Sequence, residues 1–521
     1  MRIRNRWVVL LFLAGLSPIY LTGCGTFSSE PTITVGMSED ILATDPASGY
    51  DPGSWLLFNN VFQTLLSFPY GGMEPQPEAA EECSFRDKRA QVYECTLRDN
   101  LEFSNGDSLT VEDVKFSFDR ILKINDEAGP AVMFQTLDSV EALDEKTVAF
   151  HLKSPDATFP SKIASAAGSI VDRHQYEING LRKDGDAVGS GPYVLDSFGK
   201  GEAKFSVNEN YKGSYKAKNS GVTLKFFHSD QNGLKEAVVE GKVDIAYRGL
   251  TARDIDRIGQ EDDSKGIEVI EGSSAEVQHL VFNMDDPVVG KIGVRKAIAR
   301  LLDRDALIQQ VYQDTAIPLY SIIPAGVTGH HTAFFDTYGA HPSKSAAAAA
   351  LSTEGFTSKV KLTLWSTPSR YGPATDQELR VIAAQLNASG LFRVDVQSVP
   401  FDRYQKDVAA GKYGVYVKGW VPDYPDPDNF TAPFFGEGNV LGNNYSNRTI
   451  NEALIPSTAG EIDRSTTDEA FERLQDIVAD QVPILPVWQG KQYGVVRDGV
   501  HGLGYCLDVS TVFRFWELYK N

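Results

Sequence analysis

Cysteine, histidine and methionine are scarce in this chain, whose 521 residues contain four, eight and five of them. The histidines are scattered, apart from the neighbours His330 and His331. Two adjacent histidines suit a loop better than a pair of metal ligands on one helix face, where ligands recur with a helical spacing. The sequence therefore predicts no metal site, and it offers no cofactor-binding motif either.

Catalytic and nucleotide-binding motifs are absent as well. Each of the five Gly-Lys pairs is followed by Gly, Val, Ile, Tyr or Gln, whereas a Walker A loop requires Ser or Thr there. There is no G-x-S-x-G nucleophile elbow and no H-E-x-x-H zinc motif. We therefore predict that the protein is not an enzyme, with a secreted hydrolase as the alternative that turnover of peptides or glycosides would support.

The chain also lacks an excess of basic residues. It has 50 lysines and arginines against 70 aspartates and glutamates, a formal net charge of −20. Nucleic acid is excluded as a partner, since phosphates are neutralised by Lys and Arg. A length of 521 residues with 42% hydrophobic content predicts a globular protein of two or three lobes.

Long hydrophobic runs are missing after the first segment. That segment has three arginines in its first six residues, an apolar run over residues 7–16 and the sequence LTGC ending at Cys24. This order is typical of a secretory signal, and Pro18 with the short run disfavours a transmembrane anchor. The LTGC sequence resembles the lipobox of bacterial lipoproteins, which implies a signal peptide over 1–23, a lipidated Cys24 and a polar tether over 24–30.

Three further cysteines need an interpretation. Cys83 and Cys95 flank SFRDKRAQVYE, which is typical of a hairpin with a charged tip. Disulfides form outside the cytoplasm, so a Cys83–Cys95 disulfide is predicted there. Cys506 is left over and is predicted to be a small buried hydrophobic residue.

Helical and strand patterns alternate through most of the chain. Helices are predicted to end at Gly390 and Gly411, and each is followed by an apolar alternating strand. One long helix is predicted over 294–312, and Thr110 with Asp113 forms the pattern of a capping box. The alternation predicts α/β lobes.

The stretch KGWVPDYPDPDNF, residues 418–430, concentrates three aspartates behind a predicted strand. A calcium loop needs oxygen ligands at alternate positions, a central Gly and a closing Glu, and this spacing does not provide them. Asp426 and Asp428 stand beside prolines, which favours a role in shaping the turn. The pattern alone leaves Asp423 open to acid–base chemistry, to binding of a cationic ligand or to shaping of the turn.

Several segments together resemble one family. They are LEFSNGDSLTVEDVKFSFDRIL, GSGPYVL, NENYKG, LVFNMDDP with VRKAIARLLDR, GWVPDYPDPDNF and VPILPVW, in this order along the chain. The chain resembles the extracytoplasmic solute-binding proteins of ABC importers, specifically the dipeptide/oligopeptide-binding class known as family 5. The resemblance extends over nearly all of the sequence behind Cys24.

This resemblance implies an α/β fold, a type II periplasmic-binding-protein clamshell of two lobes with an additional domain inserted in the N-terminal lobe. By analogy, lobe I is discontinuous and comprises residues 31–48, 185–277 and 488–521. The inserted domain would comprise residues 49–184, and lobe II residues 278–487. A ligand would be enclosed between the lobes, since only the closed state completes its contacts.

The resemblance also implies a set of ligand-binding residues. Trp420-Val421-Pro422-Asp423 matches the W-x-x-D pattern in which the family's Asp meets the α-ammonium group of a peptide. Arg370, in a loop after the strand LTLW, would grip the ligand carboxylate with two hydrogen bonds, and His330 or Lys344 could serve a longer ligand. Trp420 and Tyr424 would wall the cleft.

The predicted function is therefore that of a lipid-anchored, monomeric receptor on the outer face of the membrane or in the periplasm. It would bind peptides and deliver them to an ABC permease with its ATPase subunits. The alternatives on the same fold are an oligosaccharide, a nickel chelate or another small cation or conjugate as ligand. A receptor that senses peptides without importing them is a further alternative.

Overall fold

The structure is a computed structural model that describes residues 31–228, 230–260, 266–372 and 374–521. The predicted signal peptide, the lipidated Cys24 and the tether lie outside the described residues. Within the described ranges, no helix is long and apolar enough to cross a bilayer.

Nineteen β-strands are formed by the described residues. In chain order they are β1 (Ile33–Met37), β2 (Leu66–Ser67), β3 (Gln76–Pro77), β4 (Ala80–Phe85), β5 (Val92–Leu97), β6 (Leu137–Ala142), β7 (Thr147–Leu152), β8 (Tyr193–Phe198), β9 (Glu202–Val207), β10 (Gly221–Phe226), β11 (Ile245–Tyr247), β12 (Ile267–Phe282), β13 (Ala316–Pro318), β14 (Val360–Ser366), β15 (Phe392–Ser398), β16 (Val415–Trp420), β17 (Ile484–Arg497), β18 (Val500–His501) and β19 (Tyr519–Lys520).

Fifteen α-helices accompany the strands in the same part of the chain. They are α1 (Pro52–Val61), α2 (Val111–Ile124), α3 (Phe159–Ala164), α4 (Gln231–Val239), α5 (Ala252–Gln260), α6 (Ile292–Ala299), α7 (Arg304–Val311), α8 (Ala333–Tyr338), α9 (Lys344–Thr353), α10 (Pro368–Tyr371), α11 (Ala374–Ala388), α12 (Phe401–Ala409), α13 (Ala432–Phe435), α14 (Ile455–Gly460) and α15 (Asp468–Gln481).

One large mixed sheet runs through the molecule in the order β15-β14-β16-β12-β17-β11-β1-β10-β9-β8, with β13 pairing with β17. Strands β1, β10 and β11 pair in parallel at one end, and β14, β15 and β16 pair in parallel at the other. Parallel neighbours need long crossover connections, which helices such as α4 and α11 supply. Two α/β units therefore share a single sheet.

Two long strands, β12 and β17, connect these units. The first half of β12 pairs with the second half of β17, and β17 also pairs there with β11. The second half of β12 pairs with β16. The register shifts between Ser273 and Val277, so a bulge lies where β12 passes from one unit to the other. The limits 277 and 487 of the predicted lobes fall inside these two strands, and the domain division stays a prediction.

A separate four-stranded antiparallel sheet has the order β4-β5-β7-β6. Strands β4 and β5 form the expected hairpin, in which Cys83 lies directly opposite Cys95. The two sulfur atoms are joined in a disulfide, whereas Cys506 is a free and buried thiol. Phe118 of α2 packs edge-on against Phe150 of β7, so the helix covers one face of this small sheet.

The three larger cores follow this division. The β1-side core collects residues of β1, β10 and β11 with the C-terminal segment, including Val35, Leu224 and Phe515. The β16-side core collects residues of β12, β14 and β16 with the helices around them. The small-sheet core is centred on Phe118 and Phe150. Each core buries apolar side chains of its own part of the fold, and this burial stabilises that part.

The helix predicted over 294–312 is wrong in one respect, because the structure divides it into α6 and α7. Asp303 is the reason for the break. Its carboxylate accepts a hydrogen bond from the backbone N–H of Ala306 at 3.0 Å, so it begins a second helix as an N-cap. The capping box at α2 is present as predicted: the backbone N–H of Thr110 donates to Asp113 Oδ2 at 2.9 Å.

Candidate functional site

The predicted ligand-binding loop follows the end of β16 and returns through a short 3-10 helix, Pro427–Phe430. Strand β16 pairs with β12 at the register Trp420 with Val277. The loop therefore leaves the sheet directly beside the bulge of β12. We call the residues 273–277 of β12 and 488–491 of β17 the crossing region, since both strands pass there between the two α/β units.

Asp423 is held by neutral hydrogen-bond donors. The hydroxyl of Tyr50 donates to its Oδ1 at 2.7 Å, and the Nδ2 of Asn429 lies 3.4 Å from its Oδ2. Lys162, which acts electrostatically on Asp423, is ion-paired with Asp156 at 2.6 Å. Within the described ranges, the half-buried carboxylate of Asp423 thus has no cation at ion-pair distance.

The pKa of Asp423 is raised above its ordinary value because burial disfavours the charged form. The hydrogen bonds from Tyr50 and Asn429 and the charge of Lys162 oppose this effect. Burial raises the pKa of Tyr50, and the neighbouring Asp423 carboxylate raises it further, so the Tyr50 hydroxyl stays protonated as a donor. A cationic group placed at Asp423 would restore the stabilisation that the carboxylate lost on leaving water.

Asp426 and Asp428 have different surroundings. Asp426 accepts two hydrogen bonds from the guanidinium of Arg464, at 2.7 and 2.9 Å, and caps the 3-10 helix through the backbone N–H of Asp428. The Oδ1 of Asp428 is buried with no hydrogen-bond partner in the described structure. Asp426 has the turn-shaping geometry that its neighbouring prolines suggest, whereas the side chain of Asp428 does not cap the turn.

The two aromatic residues predicted to wall the cleft, Trp420 and Tyr424, have different surroundings. The indole Nε1 of Trp420 donates to Asn429 Oδ1 at 2.9 Å, and its ring packs edge-on against Phe434, so Trp420 orders the amide that contacts Asp423. Tyr424 is 5% exposed and packs in the small-sheet core. The expectation that Tyr424 walls a cleft does not fit this position, because its ring is already covered by apolar side chains.

Arg370 lies in α10, the short helix behind β14, and its side chain is exposed. Its guanidinium stands over the ring of Phe401 at 5.7 Å. It acts electrostatically on Glu276 and Lys418, which places it near the crossing region. In the structure as described, no carboxylate pairs with Arg370, so its hydrogen-bonding edge is available. His330 is engaged differently, with its Nδ1 2.6 Å from the carbonyl oxygen of Ile323.

Sequence reasoning missed Tyr50 and Asn429 as partners of Asp423. Tyr50 is separated from Asp423 by 373 residues, so no local pattern connects the two. Its place in the polar turn TDPASGYDPG gives no signal beyond a loop. Asn429 lies in the quoted stretch itself, and its amide contacts both the indole of Trp420 and Asp423.

Metal binding finds no support in the geometry. No group of three or more His, Cys, Asp or Glu side chains is arranged to hold an ion among the residues that the structure describes. Asp423 follows the end of β16 and Arg370 lies behind the neighbouring strand β14, so this part of the sheet offers one anion and one cation. Such a pair of side chains suits a ligand that carries charges of both signs. Two α/β units that share one sheet are the architecture of the class of two-lobed solute-binding proteins.

Comparison with known proteins identifies the family. The family described as "Bacterial extracellular solute-binding proteins, family 5 Middle" matches residues 74–442, and the chain belongs to this family. It is 25% identical over 488 residues to the dipeptide-binding protein of Escherichia coli strain K12, covering 88% of each chain. The prediction of a family 5 solute-binding protein of peptide ABC importers, not an enzyme, is confirmed.

Solved structures support the fold. The periplasmic binding protein DppA from Helicobacter pylori, in complex with the peptide STSA, matches 94% of this chain and 98% of its own at a TM-score of 0.77 with 21% identity. NikZ from Campylobacter jejuni, in complex with Ni(L-His), matches 94% and 99% at a TM-score of 0.75 with 18% identity. The predicted type II periplasmic-binding-protein fold is confirmed.

Proposed function

We propose that the protein binds peptides between its two α/β units, with Asp423 as the partner of the ligand's α-ammonium group. The observation that carries this proposal is the half-buried Asp423 carboxylate, which is oriented by Tyr50 and Asn429 and lacks a cation in the described structure. An ammonium group that enters such a site exchanges water for a charge-assisted hydrogen bond to a fixed acceptor. Less ordering is needed on binding because the carboxylate is already held.

Arg370 completes the proposal as the partner of the ligand carboxylate. Its guanidinium has no carboxylate partner among the described residues, and it lies near the crossing region, where the two units meet. A guanidinium can form two parallel hydrogen bonds to a carboxylate, which orients the ligand as well as neutralising it. Peptides with free termini satisfy both groups at once.

A lipid anchor and delivery to a permease are the wider parts of the proposal. The LTGC sequence at Cys24 supports the anchor, and membership of the family supports an ABC permease with ATPase subunits as partners. Replacement of Cys24 by Ser is expected to move the protein from the membrane fraction to the soluble fraction. Retention of the Cys24→Ser protein on washed membranes would contradict lipid anchoring at this residue.

The test of ligand binding is a comparison of free and N-acetylated peptides on the purified protein. Ala-Ala and Ala-Ala-Ala are expected to raise the melting temperature, because a ligand at about 100 times its Kd stabilises the native state by about 2.7 kcal/mol. N-acetyl-Ala-Ala is expected to have no such effect, since it lacks the ammonium group. Calorimetric titration then gives the Kd for each peptide.

Two substitutions and their controls locate the contacts. Asp423→Asn is expected to weaken Ala-Ala by about 100-fold or more, since it removes one partner of a desolvated charge pair. Glu437→Gln, an exposed charge change in the segment that follows, is the matched control. Arg370→Met is expected to weaken Ala-Ala as well, with the exposed Arg393→Met as control. Equal stabilisation by acetylated and free peptides would exclude the ammonium role of Asp423.

A second ligand class is favoured by one comparison, because NikZ of the same fold is described in complex with Ni(L-His). The nickel–histidine complex therefore belongs in the same titration. Cello-oligosaccharides are included because an oligosaccharide is a further alternative ligand on this fold. Binding of nickel–histidine without binding of any peptide would replace the peptide proposal by a chelate receptor. The protein is proposed to act as a monomer, which sedimentation with and without ligand would check.

A further inference from the structure

A second carboxylate lies at the crossing region, on the bulge of β12. Glu276 occupies the bulge between Ser273 and Val277, where β12 passes from one α/β unit to the other. Its side chain is exposed to solvent, while its strand neighbours Ala275 and Val277 are fully buried. The bulge therefore turns one charged side chain out of an otherwise buried part of the strand.

Protein surrounds the Glu276 carboxylate on several sides although water reaches it. Arg248, which follows β11, and Arg370, behind β14, both act on it electrostatically, so it lies between the two units. Arg248 is already engaged by Glu39, with an Nη1–Oε2 distance of 3.2 Å. Glu276 itself forms no side-chain hydrogen bond or ion pair within the described ranges. Its carboxylate is thus an unpaired anion between the two units.

Gly490 and Trp488 form a notch beside this carboxylate. A Cβ atom placed on Gly490 would lie 3.5 Å from Glu276 Oε2 and 3.4 Å from Cζ3 of the Trp488 indole. The absence of a side chain at Gly490 therefore leaves a space with an anion on one side and an indole edge on the other. Trp488 is fixed in place, because its Nε1 donates to Glu378 at 2.9 Å and its ring packs against Tyr312.

We propose that the notch formed by Glu276, Trp488 and Gly490 binds the cationic side chain of a peptide whose carboxylate is held by Arg370. The inference rests on the proposed function, which it deepens by naming the ligand class: peptides with a C-terminal lysine or arginine. An ammonium or guanidinium group needs an acceptor and tolerates an aromatic wall, and the notch supplies both. The electrostatic proximity of Glu276 to Arg370 puts the notch beside the carboxylate end of the ligand.

The test compares Ala-Lys with Ala-norleucine, which has nearly the same apolar stem and no charge, by calorimetric titration of the purified protein. Ala-Lys is expected to bind about five- to tenfold more tightly, as for a partly solvated ion pair. Glu276→Gln is expected to abolish this preference and to leave Ala-norleucine unchanged. Glu268→Gln, an exposed charge change near the start of β12, is the matched control and is expected to keep the preference.

A second variant tests the notch without a change of charge. Gly490→Ala is expected to weaken Ala-Lys more than Ala-Ala, because the new methyl group occupies the space between Glu276 and Trp488 while making only ordinary contacts to them. Melting curves of Gly490→Ala without ligand check that the fold is retained.

The outcomes separate this inference from the peptide proposal. Equal affinities of the wild-type protein for Ala-Lys and Ala-norleucine would overturn the inference and leave peptide binding intact. Tighter binding of Ala-Glu than of Ala-Lys would overturn it as well and would point to Lys418, a half-buried amine near Arg370. Binding of none of these dipeptides would contradict the proposed function itself.

Discussion

Asp423 and Asp428 lie in one loop, but their carboxyl groups differ in what surrounds them. Asp423 has two neutral donors and, in the described structure, no cation at ion-pair distance. Asp428 has a buried Oδ1 without a partner, and burial together with the charge of Asp426 raises its pKa to about 6. Two carboxyl groups only five positions apart therefore differ in their hydrogen bonding. The reason is that the path of the backbone determines which groups lie next to each side chain.

The raised pKa of Asp428 predicts a pH-dependent cost to stability. Its folded pKa of about 6 exceeds the ordinary value of about 4, so the folded state favours the protonated acid. The native state is therefore relatively more stable below pH 4 and loses this contribution as the pH rises through 6. Asp428→Asn is expected to raise the free energy of unfolding at pH 7.5 by about 1–3 kcal/mol, and by about a third of that amount at pH 4.5, where the unfolded acid is already mostly ionised.

Urea unfolding at the two pH values checks this prediction. The exposed Asp395→Asn on β15 is the control, and it is expected to change the unfolding free energy little at either pH. A stabilisation by Asp428→Asn that is equal at pH 4.5 and 7.5 would show that the cost comes from the shape of the side chain rather than its ionisation.

At the scale of elements, patterns formed by residues a few positions apart correctly predict a helix start and a hairpin. The pairing of Thr110 with Asp113 marks the start of α2, and the apolar alternation around Cys83 and Cys95 marks a hairpin. Both depend on residues only a few positions apart. The break between α6 and α7 was missed, because the apolar spacing continues through it and Asp303 competes with that pattern as an N-cap.

The hairpin disulfide predicts a local contribution to stability. Cys83 and Cys95 are 12 residues apart. A disulfide that closes a loop of this size stabilises the folded state by about 3 kcal/mol, because it restricts the unfolded chain. The double variant Cys83→Ser/Cys95→Ser is expected to lower the stability of the part of the fold around the four-stranded sheet by about that amount. Limited proteolysis and thermal unfolding measure it. Reductant should destabilise the wild-type protein and leave the double variant unchanged, and an equal response of both proteins would contradict the prediction.

At the scale of the whole molecule, Tyr424 connects the loop that follows β16 to the small-sheet core. The loop belongs to the unit around β16, but the ring of Tyr424 packs in the small-sheet core. A second contact nearby joins the same parts, since the backbone N–H of Ala157 donates to the carbonyl of Ala459 at 2.7 Å. Asp423 is therefore positioned by a contact between separate parts of the fold.

Removal of the Tyr424 ring is expected to affect stability and binding together. Tyr424→Ala should lower the free energy of unfolding by about 3 kcal/mol, as for other large aromatic residues removed from a core. It should also weaken Ala-Ala by about tenfold, since a freed loop residue costs about 1–2 kcal/mol to order on binding. Denaturant unfolding and calorimetric titration measure the two effects.

Tyr424→Phe is the matched control. The hydroxyl of Tyr424 lies 3.4 Å from Thr158 Oγ1, a long contact, so its loss should change the stability by less than about 1 kcal/mol. Tyr424→Ala could lower the stability and leave the affinity for Ala-Ala intact. That result would show that other contacts hold the loop and that the packing of the Tyr424 ring is not needed for binding.

The sequence by itself determined the class of the protein, because its motifs, helix caps and α/β alternation are local patterns, and these survive although the chain is only 25% identical to the dipeptide-binding protein of Escherichia coli. It also selected Asp423 and Arg370 as candidates. Only the tertiary structure brought Tyr50 to Asp423, placed Tyr424 in a core and set Glu276 beside Gly490. These contacts join residues that are far apart along the chain or on neighbouring strands, and the geometry of packing, rather than any local pattern, decides them.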